Sequence, residues 1–67
     1  MELSARNQLK GKVKDITHGA VMAELIIDVG GTDIVAAITD SSVKRLNLRV
    51  GDQVTAIIKA TEVIIGK

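Results

Sequence analysis

Every large apolar side chain in this 67-residue sequence is aliphatic or a methionine, and Phe, Trp, Tyr, Pro and Cys are all absent. That absence constrains the fold more than any motif does. A chain of this length buries only about 60% of the surface that its unfolded form exposes. Here the burial must come in small increments of Val, Ile, Leu and Ala. With no cysteine, neither a disulfide nor a thiolate metal site supplements the core, and a single His argues against an imidazole-rich metal site. Yet apolar residues make up 46% of the chain, more than one small core can hide. Self-association is the expected outlet for the remainder, so the sequence predicts a homo-oligomer.

Charge narrows the partners. Nine Lys and Arg stand against eight Asp and Glu, a net charge of +1, which is a poor electrostatic footprint for wrapping nucleic acid. The longest uncharged run is far short of a membrane span, and the N-terminus has no basic region followed by an apolar one. A cytoplasmic, soluble protein of one domain over residues 1–67 is expected. The chain is too hydrophobic and too weakly charged to be disordered.

Eight Val, nine Ile and five Thr make up about a third of the residues and favour strands. Leu9 to Ile16 alternates, with Lys10, Lys12 and Lys14 on a solvent face and Leu9 and Val13 turned inward. Ala20 to Val29 predicts a second strand, and Gly30-Gly31 a hairpin turn that needs positive φ. Asp33 to Thr39 predicts a third strand, apolar on both faces from Ile34 to Ile38 and so expected between layers. A short helix follows from Ser41 to Leu46, capped by Thr39 or Asp40 and closed by a left-handed Asn47. Gly51-Asp52 makes a turn, Gln53 to Lys59 a fourth strand and Thr61 to Ile65 a fifth. The expected architecture is all-β: an OB-like five-stranded barrel with one short helix between strands 3 and 4.

Constellations for catalysis are thin. His18 has no nucleophile or carboxylate partner by motif, and no phosphate-cradling loop occurs, so the sequence does not read as an enzyme. Four polar groupings remain, each with a plain and a sharper reading. Ser4-Ala5-Arg6-Asn7 is a solvated arm, the simpler account on physics alone, or an anion-binding arm in which Arg6 supplies charge and Ser4 a neutral donor. Thr39, Ser41 and Ser42 cap the helix or, three hydroxyls exceeding what a cap needs, bind an anion. Lys59, inside an apolar run, guards an edge strand or places a cation in an intersubunit pocket. His18-Gly19-Ala20-Val21 is a turn between strands, or an anion nest if copies meet around an axis.

Taken together, Ser4-Ala5-Arg6-Asn7-Gln8-Leu9-Lys10-Gly11, Gly19-Ala20-Val21, Ala37-Ile38-Thr39-Asp40-Ser41-Ser42, Val50-Gly51-Asp52 and Ile58-Lys59-Ala60-Thr61-Glu62-Val63 resemble the molbindin, or Mop, family over essentially the whole chain. The resemblance implies an OB-like barrel that assembles as a hexamer, a trimer of dimers, binding molybdate and tungstate at subunit interfaces. With Met1 just ahead of the motif and the chain ending soon after Val63, it implies intracellular storage of the oxyanion rather than regulation or transport. One site would take Ser4, the Ala5 backbone and Arg6 from one subunit, with Thr39, Ser42 and Lys59 from a neighbour. A second, near three-fold axes, is assigned to His18, Gly19, Ala20 and Val21. No cofactor, no cation-ligating residues, no nucleic acid and no membrane partner are implied. Two other readings of the residues stay open: a purely structural oligomerisation module, and an OB-fold binder of single-stranded nucleic acid, which would need the aromatic platforms missing here.

Overall fold

The computed structural model describes residues 2–67; Met1, which the sequence reading sets just ahead of the Ser4 segment, lies outside the described residues. Four strands form one antiparallel sheet in the order β3-β2-β1-β4. They are β1 (Asn7–His18), β2 (Met22–Val29), β3 (Thr32–Thr39) and β4 (Gln53–Ile58), with a short helix α1 (Asp40–Arg45) between β3 and β4.

β1 is the spine. Its first half, Asn7 to Lys12, pairs with β4, and its second half, Lys12 to His18, pairs with β2. At the crossover the register slips between Val13 and Asp15, leaving Lys14 as the extra residue of a bulge. Bulges bend a strand and increase its twist, which lets one strand serve two neighbours. Val13 is 1% exposed, and its N–H and C=O are taken by Asp52 O (2.9 Å) and Gly51 N (2.8 Å) of the turn before β4. Gly11, beside it, sits where a Cβ would meet Asp28 O at 2.6 Å and Ile27 Cγ2 at 2.8 Å. Only a glycine lets β2 lie this close.

The core is small and aliphatic. Ala23, Leu25 and Ile27 alternate inward from β2, meeting Val13 and Val43 of α1, with Ile34, Ala36 and Ile38 of β3 half-buried against them. The hairpin forms as the sequence predicts: Val29 pairs with Thr32 across Gly30 (φ 62°) and Gly31 (φ 92°), and Asp28 Oδ1 accepts from the Gly31 N–H at 2.9 Å. α1 is capped by Thr39 and closed by Asn47 at φ 51°. Asn47 N–H donates to Lys44 O and Leu48 N–H to Val43 O, both at 3.0 Å, which satisfies the last carbonyls as a Schellman closure does.

Three expectations are corrected. The five-stranded barrel is a four-stranded open sheet in this chain, because Thr61 to Ile65 pairs with no strand. The ladder ends at Ile58, and Lys59 leads into a 3₁₀ turn, Ala60–Glu62, after which Ile64 and Ile65 stand 93% and 85% exposed. Alternation marks a segment that suits a sheet; it does not say whose sheet. The outer face of β3 is not between layers: Val35 is 63% exposed, since no described residue covers that side of an edge strand. Lys14 is not merely solvated, since it pairs with Asp33 at 3.0 Å. Asp33 raises its pKa through the hydrogen bond and charge, though an ion pair this exposed adds little stability. No described helix is long and apolar enough to cross a membrane.

Gly11→Ala tests the crossover. It is expected to destabilise the fold by about 1–3 kcal/mol, the usual cost of overpacking. Gly66→Ala, where nothing lies within 4 Å of the added Cβ, is expected to leave the urea midpoint unchanged.

Candidate functional site

The hydroxyl cluster at the β3–α1 junction is a connected hydrogen-bond set. Thr39 Oγ1 accepts from the Ser42 N–H at 3.1 Å and from Ser41 Oγ at 3.2 Å, and lies 2.7 Å from Ser42 Oγ. A hydroxyl has two acceptor lone pairs and one proton. With both lone pairs of Thr39 engaged, its proton goes to Ser42 Oγ, and the Ser42 hydroxyl keeps its own proton to donate outward. Capping therefore uses Thr39 and leaves Ser42, half-buried at the junction, as an oriented donor already polarised by its neighbour.

Asp40 follows the cap, and its part escaped the sequence reading. Its carboxylate is 15% exposed, with Oδ1 2.6 Å from His18 Nδ1 and Oδ2 3.2 Å from Lys44 Nζ. Its N–H donates to Val21 O at 2.8 Å. The Lys44 partner is readable from the i,i+4 spacing; His18, twenty-two residues away, is not. The hydrogen bond from His18, then that from Lys44, holds the Asp40 pKa below its ordinary 3.8 against the opposing effect of burial.

His18 to Val21 is a tight turn strapped to this junction. Gly19 N–H donates to Met22 O at 2.8 Å, and a Cβ on Gly19 would sit 2.5 Å from that oxygen. The Gly19 amide is thus spent inside the turn. His18 and Ala20 beside it are exposed, and Val21 is 71% exposed.

The N-terminal arm lies elsewhere. Ser4 and Arg6 are exposed and Ala5 half-buried, with Ala5 O accepting from Gln8 Nε2 at 2.8 Å. The last β1–β4 pair is Asn7 with Ile58, so Arg6 and Lys59 leave the sheet side by side. Thr39 pairs with Met22 beside the far end of β1, where His18 pairs with Ala23. Within one chain, then, Lys59 shares an end with the arm, and Thr39 with Ser42 occupies the other. Among the described residues no cluster of His, Asp and Glu is suited to hold a metal ion.

The lowered Asp40 pKa makes a testable statement about stability. As pH drops, the unfolded chain takes up this proton before the folded one. Stability supplied by the carboxylate is therefore intact above its unfolded value of 3.8 and is lost as pH falls through the lower folded value. In urea titrations the native chain is expected to exceed Asp40→Asn at about pH 6, with the gap narrowing as pH falls below 3.8.

Comparison with known proteins agrees with this architecture. Residues 3–65 match the TOBE domain. The chain is 51% identical over 67 residues to a probable molybdenum-pterin-binding protein of Haemophilus influenzae, covering 98% of this chain and 97% of that one. Its fold is similar to that of a molybdate binding protein from Sporomusa ovata, at a TM-score of 0.96 and 51% identity with 100% of both chains covered. It is similar also to the cytoplasmic molybdate-binding protein ModG, solved with molybdate bound, at a TM-score of 0.91 and 46% identity over 96% of this chain and 46% of that one. The chain therefore belongs to the TOBE-domain family, alongside the small molybdenum-pterin-binding proteins.

Proposed function

We propose that this chain is one Mop domain over residues 1–67 that binds molybdate and tungstate in the cytoplasm and stores them, with no catalysis, no cofactor and no nucleic-acid partner. The observation that carries the reading is the full-length likeness to a molybdate binding protein at 51% identity. The chemistry of the polar groups supports it. A tetrahedral dianion offers four acceptor oxygens and no donor, so it calls for hydroxyls, N–H groups and cations. Ser4, the Ala5 backbone, Arg6, Thr39, Ser42 and Lys59 supply these, and the charges of Arg6 and Lys59 match the two on the anion. Those residues stand at two ends of the sheet, so the site is shared: the arm of one copy meets Thr39 and Ser42 of another, with Lys59 closing it. His18, Gly19, Ala20 and Val21 form the second oxyanion site, with Gly19 shaping the turn and the others facing the ligand.

The assembly is a homohexamer, a trimer of dimers. The exposed apolar surface favours it: Val21, Val35, Leu46 and Val50 are each more than 60% exposed, and Ile64 and Ile65 almost wholly so. An open groove of about 770 Å³ runs between the two edge strands, lined by Ile34, Ala36 and Ile38 of β3 and by Val54, Ala56 and Ile58 of β4. The segment Thr61 to Ile65 of a second copy fills that groove as the fifth strand and completes the OB-like barrel.

Titration calorimetry with molybdate, in excess sulfate, on protein of mass checked by light scattering tests both parts. The native oligomer is expected to bind despite sulfate. Arg6→Ala and Lys59→Ala are each expected to weaken binding by about 1–3 kcal/mol, the scale of a lost charged hydrogen bond; unchanged affinity in both removes the site. Ile64→Asp with Ile65→Asp is expected to lower the mass of the assembly, and an unchanged mass removes the strand exchange.

A further inference from the structure

We propose that Gln8 is a positioning residue for the oxyanion site and that the backbone donor it aims is the Arg6 N–H. This rests on the reading that Ser4, the Ala5 backbone and Arg6 contact the anion. The arm has little else to hold it. The β1–β4 ladder begins at the Asn7–Ile58 pair, and Ser4 lies in a bend ahead of it. Among the described residues, the bond from Gln8 Nε2 to Ala5 O at 2.8 Å is the only hydrogen bond that reaches Ser4, Ala5 or Arg6.

Gln8 can brace the arm because its own backbone is fixed. It pairs with Ile57, between the Asn7–Ile58 and Leu9–Ala56 pairs of the ladder. From that root its side-chain amide reaches back three residues. A carbonyl oxygen only accepts, so the side chain must present Nε2 to Ala5 O, and the orientation of the amide follows.

The bond fixes which way one peptide faces. The Ala5–Arg6 peptide is planar and trans, so its C=O and N–H point in opposite directions. Gln8 holds the oxygen on its own side, and the Arg6 N–H therefore points away from Gln8. Turned the other way, the same peptide would present an oxygen to a dianion and repel it. The hydrogen bond also polarises the peptide, which makes its N–H a better donor. Of the Ala5 backbone, then, the carbonyl is engaged by Gln8, and the N–H groups of Ala5 and Arg6 remain for the anion. Arg6 thus offers a backbone donor as well as its guanidinium. An arm already held before the anion arrives leaves less to be ordered on binding.

Gln8→Met keeps the length of the side chain and removes the donor. Molybdate calorimetry on the native oligomer and on Gln8→Met, with backbone amide relaxation of both measured by NMR in the absence of anion, tests the proposal. Affinity is expected to fall roughly three- to tenfold in Gln8→Met, the net weight of one neutral hydrogen bond. In the anion-free variant the amides of Ala5 and Arg6 are expected to lose order, while those of β1 and β4 keep theirs. Unchanged affinity overturns the proposal. Weaker binding with an unchanged anion-free arm also overturns it, because Gln8 then acts as a direct ligand. Loosening that spreads along β1 and β4 overturns it too, because the role is then merely structural. Absence of molybdate heat from the native protein overturns the binding reading itself, and this inference with it.

Discussion

The crossover at Val13 is the point on which the rest of the sheet hangs. A strand in an ordinary antiparallel sheet keeps the same two neighbours along its length. β1 instead gives its first half to β4 and its second half to β2, and both of Val13's backbone groups bond to the turn that launches β4. The bulge at Lys14 supplies the bend and Gly11 supplies the clearance. Because β1 bends there, the outermost strands β3 and β4 come to line one groove. The same bend separates the polar groups. Arg6 and Lys59 leave together at the start of β1, and the hydroxyl junction forms near its end.

The aliphatic composition then decides how far folding can go within one chain. Among the described residues only Val13, Ala23, Leu25, Ile27 and Val43 are buried. Five small side chains are a thin core for a domain of this size, where net stability is already marginal. Large aliphatic side chains on β3, α1 and the C-terminal tail stay in water. Burial of such groups contributes about 25 cal/mol per Å², so the free energy missing from the monomer is available at contacts between copies. If copies associate as proposed, fold and assembly are one equilibrium, and a ligand seated between copies would stabilise both.

Local structure was legible wherever one residue type has one backbone use. Gly30-Gly31 predicts its hairpin because the turn needs positive φ twice, and Asn47 closes α1 because asparagine tolerates the left-handed region. The choice of cap between Thr39 and Asp40 depends on which side chain turns back to the Ser42 N–H, and that is tertiary information: Asp40 is drawn away by His18. The fifth strand fails for a different reason. Val63, Ile64 and Ile65 carry the hydrophobicity of a strand, yet a sequence pattern reports that a face must be buried without saying on which chain. For the same reason the polar groups of the candidate site could be named from the sequence, but their distribution over two ends of the sheet could not. That distribution follows from the register of β1, which the bulge sets.

On the proposed reading, the hydroxyl junction would discriminate by the placing of a few donors. Sulfate and molybdate carry the same charge and shape and differ in size, so cations alone bind both. What separates them is the position of donors that cannot follow a smaller anion inward. Thr39 cannot move without uncapping α1, since it holds the Ser42 N–H. Ser42 cannot turn freely, since its oxygen accepts the Thr39 proton at 2.7 Å. Asp40 cannot withdraw without breaking its bond to the Val21 carbonyl of the adjoining turn. Each restraint is an ordinary helix or turn interaction, so holding the donors apart needs no strained backbone and no additional structure. The Asp40 carboxylate beside the junction is itself tied down, by its 2.6 Å contact with His18 and its 3.2 Å contact with Lys44.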